Sequence, residues 1–324
     1  MEDICIDIPA AVNEPIKDYA PGSAERENLK LKLTEMESEF YEIPLIIGGK
    51  EIYTNKLGKC RKPHNHQHIL GEYHQATTVE VDQAIEVAIE AWHSWSETPL
   101  HERTAIFRRA AELLAGPWRD KLNAATMLNQ SKNAFQAEID AACELIDFFN
   151  FNAQFAEDIC SKQPLISPNG THNCLEYRAL EGFVFAVTPF NFTSIAGNLP
   201  TAPTLMGNVA LWKPASTSVY SAYFIMKLLQ EAGLPDGVIN FLPGPGKEIG
   251  TSVMDSPHLA GIHFTGSTEV FQKMWKTVGL NIQRYKSYPR IVGETGGKDF
   301  ILAHKSANTD VLATAMLRGA FEYQ

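Results

Sequence analysis

From residue 183 onward, short apolar runs alternate with segments of helical periodicity, and few architectures accommodate such an alternation. The apolar runs fall at 183–187, 209–212, 238–242 and 261–264, with helical patterns near 194–206, 219–232 and 247–254 between them. Runs that are apolar throughout suit strands buried on both faces, and a helix between successive strands is the signature of a parallel sheet. The pattern therefore reads as α/β, with a nucleotide-binding domain as the default expectation and ligands at the carboxyl ends of the strands. Such a fold does not by itself specify chemistry.

Upstream, the pattern is mostly helical. Residues 23–42 place Leu29, Leu33, Met36 and Phe40 at three- and four-residue spacing after Pro21-Gly22, which predicts an amphipathic helix in an N-terminal arm. Residues 45–53, centred on Gly48-Gly49, read as a hairpin. Thr77 with Glu80 forms a capping box for a helix reaching Trp95, and a second helix opens at Thr98-Pro99 and closes at Gly116-Pro117. One long helix is expected over 134–160, with Ile139, Cys143, Ile146, Phe149 and Phe155 as its buried stripe. The last residues, Phe321 to Gln324, lie inside a further helical pattern with no stop signal.

Composition narrows the functional classes. A chain of 324 residues with 44% hydrophobic residues can bury a large core and has room for roughly two domains. Its 28 basic against 38 acidic residues give a net charge of −10, which argues against a nucleic-acid partner. No apolar stretch approaches the roughly 20 residues of a membrane helix. The five cysteines (Cys5, Cys60, Cys143, Cys160, Cys174) are odd in number, widely spaced and without a CxxC pattern. They read as reduced intracellular thiols and do not support a metal site.

Several strand-exit turns carry candidate chemistry. Gly244-Pro245-Gly246-Lys247-Glu248-Ile249-Gly250 leaves a strand and opens a helix, suited either to a phosphate or to a plain Pro/Gly turn. Phe264-Thr265-Gly266-Ser267-Thr268 repeats that placement, where free amides and the helix dipole favour an anion, although Ser267 also suits an ordinary N-cap. Lys213, in Trp212-Lys213-Pro214, stands at a strand's carboxyl end and can donate to ribose hydroxyls, or is simply a solvated lysine before a proline. Asn191, in Thr188-Pro189-Phe190-Asn191-Phe192, offers an amide for a developing oxyanion, or a turn asparagine. Glu294 precedes Thr295-Gly296-Gly297, where close backbone approach would desolvate the carboxylate and strengthen it as a base; a loop glutamate is the plainer alternative.

Taken together, Pro189-Phe190-Asn191, Trp212-Lys213-Pro214, Phe264-Thr265-Gly266-Ser267 and Glu294-Thr295-Gly296-Gly297-Lys298 resemble, in order and spacing, the aldehyde dehydrogenase superfamily. Within it the chain looks most similar to the L-glutamate gamma-semialdehyde (delta-1-pyrroline-5-carboxylate) dehydrogenases. The stretches carrying that finer resemblance are Gln136–Ala142, Leu145–Phe149, Gly182-Phe183-Val184, Ser194–Leu199 and Leu317–Tyr323.

The resemblance implies a Rossmann-type NAD-binding domain over 45–294, preceded by a helical arm at 1–44 and followed at 295–324 by the start of a largely missing catalytic domain. Residues 159–180 resemble a strand region of the family's oligomerisation flap, and the parent enzyme is expected to be a homo-oligomer. Asn191 corresponds to the oxyanion donor and Glu294 to the base that activates the hydrolytic water. Thr188, Lys213, Gly246, Gly250, Gly266 and Ser267 fall where the family holds NAD. Ser216 replaces a glutamate that many relatives place near the adenosine ribose, which leaves the choice between NAD and NADP open. Glu138 and Phe192 match positions lining the pocket for a small-molecule aldehyde. No metal is implied.

The implied reaction is NAD-dependent oxidation of L-glutamate gamma-semialdehyde to L-glutamate in proline catabolism. The family's nucleophilic cysteine would fall just beyond Gln324, and none of the five cysteines present has a recognisable activating context. The alternatives are an inactive NAD-binding or interaction fragment, or another semialdehyde dehydrogenase. The family points to the mitochondrial matrix. The acidic start Met1-Glu2-Asp3 is unlike a transit peptide, which keeps the cytoplasm as an alternative.

Overall fold

The computed structural model describes residues 10–297 and 299–321. Helix α1 (Ala24–Ser38) is followed by strands β1 (Tyr41–Ile43), β2 (Leu45–Ile47), β3 (Lys50–Ile52), β4 (Leu57–Lys62) and β5 (Asn65–His74). Four helices come next: α2 (Thr78–Trp95), α3 (Leu100–Ala115), α4 (Arg119–Gln130) and the short α5 (Ala134–Ala137). A π-helical turn, Glu138–Glu144, leads into α6 (Leu145–Ser161). The alternating half then runs β6 (Phe183–Val187), α7 (Thr193–Leu205), β7 (Val209–Lys213), α8 (Val219–Glu231), β8 (Ile239–Phe241), α9 (Gly246–Asp255) and β9 (Leu259–Gly266). Helix α10 (Thr268–Leu280), β10 (Arg290–Thr295) and α11 (Thr309–Phe321) complete it.

The alternation folds as expected. Strands β6 to β10 are mutually parallel and belong to a seven-stranded sheet of order β10-β9-β6-β7-β8-β2-β3. The chain moves outward from β6 through β7 to β8, then returns to place β9 on the other side of β6. Because right-handed crossovers put a helix on a face set by the direction of travel, α7 and α8 lie on one face and α9 on the other. The β2–β3 hairpin adds an antiparallel edge, with Ile46 opposite Phe241, and Gly48 and Gly49 supply its turn at φ of 59° and 74°. Fully buried Trp95, Trp212, Phe183, Phe185 and Phe241 fill the space around the sheet.

Four expectations need correction. The helix of 23–42 ends at Ser38 because Tyr41–Ile43 pair with Gly71–Tyr73 of β5 in a separate three-stranded sheet, β1-β5-β4; Phe40 is accordingly exposed. The single helix of 134–160 is three segments, interrupted by the π-helical turn that carries Glu138 and Asp140. The strand region of 159–180 begins as the end of α6 and then runs without a strand, with Leu165 and Ile166 almost wholly exposed. No strand of the described residues pairs with it. A helix that periodicity had not flagged, α4, follows Gly116-Pro117 and packs against α1 and α8.

Gly182 sets the start of the central strand. Its φ is +137°, and a Cβ there would sit 2.1 Å from the carbonyl oxygen of His258, the acceptor of the Phe183 amide. Gly182→Ala should therefore cost about 2 kcal/mol or more of stability, and a urea unfolding midpoint unchanged from the parent chain would contradict this account of the strand's start.

Candidate nucleotide and aldehyde site

The reversal of strand order at β6 leaves a crevice at the carboxyl ends of β6, β7, β9 and β10, the position at which open α/β sheets bind ligands. A cavity of about 1090 Å³ occupies it. Thr188, Asn191, Phe192, Lys213, Gly246 and Gly250 contribute to its wall, as do Gly266, Ser267 and Glu294. Residues spread over more than a hundred positions of sequence are thus brought together by strand register alone.

Each wall has a local cause. Thr188 is buried beyond β6, and its hydroxyl accepts the indole N–H of Trp212 at 3.1 Å. Helix α9 begins at Gly246 behind Pro245 with no side-chain cap, so its first amides remain free to bind an anion. Gly246 also keeps space open beside the lysine: a Cβ there would come within 3.9 Å of Lys213 Nζ. Ser267 caps α10, its Oγ accepting the Val270 amide at 3.3 Å, which leaves its own proton to donate. Asn191 is half-buried, and its side-chain amide has no protein partner among the described residues.

Lys213 is the site's least satisfied group. It is 9% exposed and has no hydrogen-bond or ion-pair partner among the described residues. Burial alone pushes its pKa down to about 8. The charged residues of the lining are Lys213, Lys247, Lys273 and Glu294, a local positive excess in a chain of net charge −10. Uncapped amides, a serine hydroxyl and an uncompensated lysine fit a ligand rich in phosphate and hydroxyl oxygens. Among the described residues, no group of three or more His, Cys, Asp or Glu side chains is placed to hold a metal ion.

Three sequence-derived positions are corrected by the geometry. Ser216 does not line the cavity; it is exposed and its Oγ donates to Gly244 O at 3.4 Å, because the Pro214-Ala215 turn carries it past the rim. Glu138 is fully buried elsewhere, its carboxylate bonded by Arg119, Asn123, the Tyr19 hydroxyl and the Lys17 amide. Burial works against its charge, but the bonds from Arg119, the Lys17 amide and Tyr19 together hold its pKa below the ordinary value. Glu294 does lie in the cavity wall but is exposed, since β10 is an edge strand that no other strand of the described residues covers.

Lys247 was passed over inside its glycine-rich turn although it reaches the cavity. Of the described cysteines none lines the cavity, and burial pushes the thiols of Cys60 and Cys143 up to about 12, far from a reactive thiolate. Cys5 lies outside the described residues.

The profile of the aldehyde dehydrogenase family matches residues 53–324, and the chain belongs to that family. Its nearer likenesses carry one name. The chain is 50% identical over 318 residues to a delta-1-pyrroline-5-carboxylate dehydrogenase of Agaricus bisporus, covering 98% of this chain and 58% of that protein. To the mitochondrial delta-1-pyrroline-5-carboxylate dehydrogenase of Bos taurus it is 44% identical, covering 98% of this chain and 56% of that protein. The crystal structure of the Mycobacterium tuberculosis delta-pyrroline-5-carboxylate dehydrogenase bound with NAD superposes with a TM-score of 0.95 at 53% identity, over 99% of this chain and 60% of that one. The chain therefore spans somewhat less than two thirds of the length of these relatives.

Replacing Lys213 by Met should move stability and binding in opposite directions. Between pH 8 and the ordinary lysine value of about 10.4 the unfolded chain holds more protons than the folded one, so the cost of burying this charge is full below pH 8 and fades as pH rises. The variant should be about 0.5–2 kcal/mol more stable than the parent at neutral pH, with the gap closing toward pH 10. It should also bind nucleotide more weakly. Thermal unfolding across that pH range checks the first point, and a variant less stable at neutral pH would refute it.

Proposed function

We propose that the chain is the nucleotide-binding part of an NAD-dependent L-glutamate gamma-semialdehyde dehydrogenase, the enzyme that oxidises the semialdehyde derived from delta-1-pyrroline-5-carboxylate to L-glutamate in proline breakdown. The observation that carries the reading is the cavity where β6 reverses the strand order, with a buried unpartnered lysine, an uncapped helix and a free asparagine amide on its walls. The similarity to proteins of that name supports the choice of substrate.

NAD, when bound, would supply the hydride acceptor. Lys213 donates to its ribose hydroxyls, while Gly246 and Gly250 let backbone approach its adenine side. Ser267 and the amides beyond Gly266 receive the pyrophosphate, and Thr188 holds its place beneath through Trp212. On the aldehyde side, Asn191 donates its side-chain N–H to the oxygen that gains negative charge when a nucleophile adds to the carbonyl. Phe192 shapes the apolar wall beside it, and Glu294 takes the proton of the water that releases the acyl group. No described cysteine lines the cavity, and the second reading is a module that binds NAD without turnover.

The mitochondrial relatives support the mitochondrial matrix as the place of action. Assembly of like subunits is proposed through residues 159–180, whose exposed Leu165, Ile166 and Leu175 leave an apolar strip in reach of a partner.

Titrating the purified chain with NAD, followed by calorimetry, should show saturable binding with a dissociation constant of about 1–100 μM. Absence of saturable binding sinks the proposal. Assaying NADH formation with the semialdehyde in parallel separates the two readings, because measurable turnover would exclude the inactive module.

A further inference from the structure

The turn that presents Asn191 is held by charges its own segment does not carry. Lys132, two residues past α4 and 6% exposed, donates its ammonium protons to the carbonyl oxygen of Asn191 and, at 2.5 Å, to Asp140 Oδ2. Its Nζ also lies 4.6 Å from the centre of the Phe192 ring. Asp140 is fully buried and accepts the next two backbone amides, Thr193 N on Oδ2 and Ser194 N on Oδ1, each at 3.0 Å. The Ser194 hydroxyl lies 2.8 Å from Oδ1 and 2.7 Å from Glu144 Oε2.

These contacts solve a local problem. Helix α7 opens behind Phe192, a residue with no side-chain acceptor, so its first amides need a cap from elsewhere. Asp140 provides it from more than fifty residues away. The π-helical turn makes this reach compatible with the other network, since Glu138 and Asp140 stand two residues apart and are both fully buried. Glu138 faces Arg119, Asn123 and Tyr19, while Asp140 faces Lys132 and the start of α7. A cation thus grips the Asn191 carbonyl and an anion grips the two amides that follow the Asn191-Phe192 step. Neither Lys132 nor Asp140 is part of the cavity wall, so their influence on it passes through this backbone and the Phe192 ring.

We infer that Lys132 and Asp140 are positioning residues, which set the direction of the Asn191 side chain into the cavity by clamping the backbone from Asn191 to Ser194. The role rests on the reading of Asn191 as the oxyanion donor. Glu144, whose pKa is raised first by burial, stands at the far end of the same network and shares the Ser194 hydroxyl.

The test uses the full chain and two variants, Lys132→Met and the nearly isosteric Asp140→Asn, read by amide hydrogen exchange and by the Asn191 side-chain amide resonance. Exchange at Thr193 and Ser194 should rise about tenfold or more in both variants beyond any rise shared with β6 and β7. The Asn191 resonance should move, and NAD affinity should change by less than about threefold, because the residues assigned to NAD do not touch the pair. Unchanged exchange at Thr193 and Ser194 in both variants would overturn the assignment. So would an equal rise across β6 and β7, since the pair would then support the whole sheet rather than the turn. Failure of the parent chain to bind NAD would sink the functional reading alone, as the exchange measurement requires no ligand.

Discussion

A right-handed crossover between parallel strands is the constraint on which the rest of this molecule depends. Because each crossover helix must return on the face set by its direction of travel, a chain that runs outward from β6 to β8 and then back to β9 splits its helices between the two faces. The loops above β6 and β9 diverge at that reversal, and the gap between them becomes the cavity. The seal beneath is tight: β6 is paired on both sides, Phe183 to Val209 and to Leu259, so its carboxyl end cannot shift without moving both neighbours. Thr188, Lys213 and Ser267 inherit their positions from that register.

The buried charges of this chain differ in whether another element brings them a partner. Arg119 with Glu138, and Lys132 with Asp140, are buried pairs that also hydrogen-bond to neighbouring groups. Breaking such a pair on one side costs about 3–5 kcal/mol, since it leaves a buried charge uncompensated. Lys213 is the opposite case, a buried ammonium with no counter-charge among the described residues, tolerated at a cost to stability. The contrast is one of partners: Lys132 with Asp140 holds the loop that carries Asn191, Arg119 with Glu138 ties the N-terminal segment to α4, and Lys213 opens into the cavity.

The alternation of strand and helix was legible because it is local: period and run length are properties of consecutive residues, and β6 to β9 lie close to where the apolar runs placed them. The strand-exit turns were legible for the same reason, since Gly246, Gly266 and Ser267 lie at or beside helix starts that sequence marks. The surroundings of Ser216 and Glu138 and the exposure of Glu294 were not, because each depends on what another segment packs against it. Ser216 sits in a plausible position one turn too far along, and Glu138 is claimed by Tyr19 and Arg119, residues distant in sequence. The π-helical turn escaped notice because its seven residues keep an apolar spacing that an α-helix would share.

What the sequence by itself determined is the parallel α/β class and the identity of the groups that meet at the carboxyl ends of its strands. Short-range sterics and hydrophobic periodicity suffice for both. Only the tertiary structure decided which polar residues became scaffold and which remained free. Burial and the approach of a partner from another element set the fate of a charged side chain, and neither is visible until Lys132 meets Asp140 across the Asn191 turn and Lys213 is left without a partner above β7.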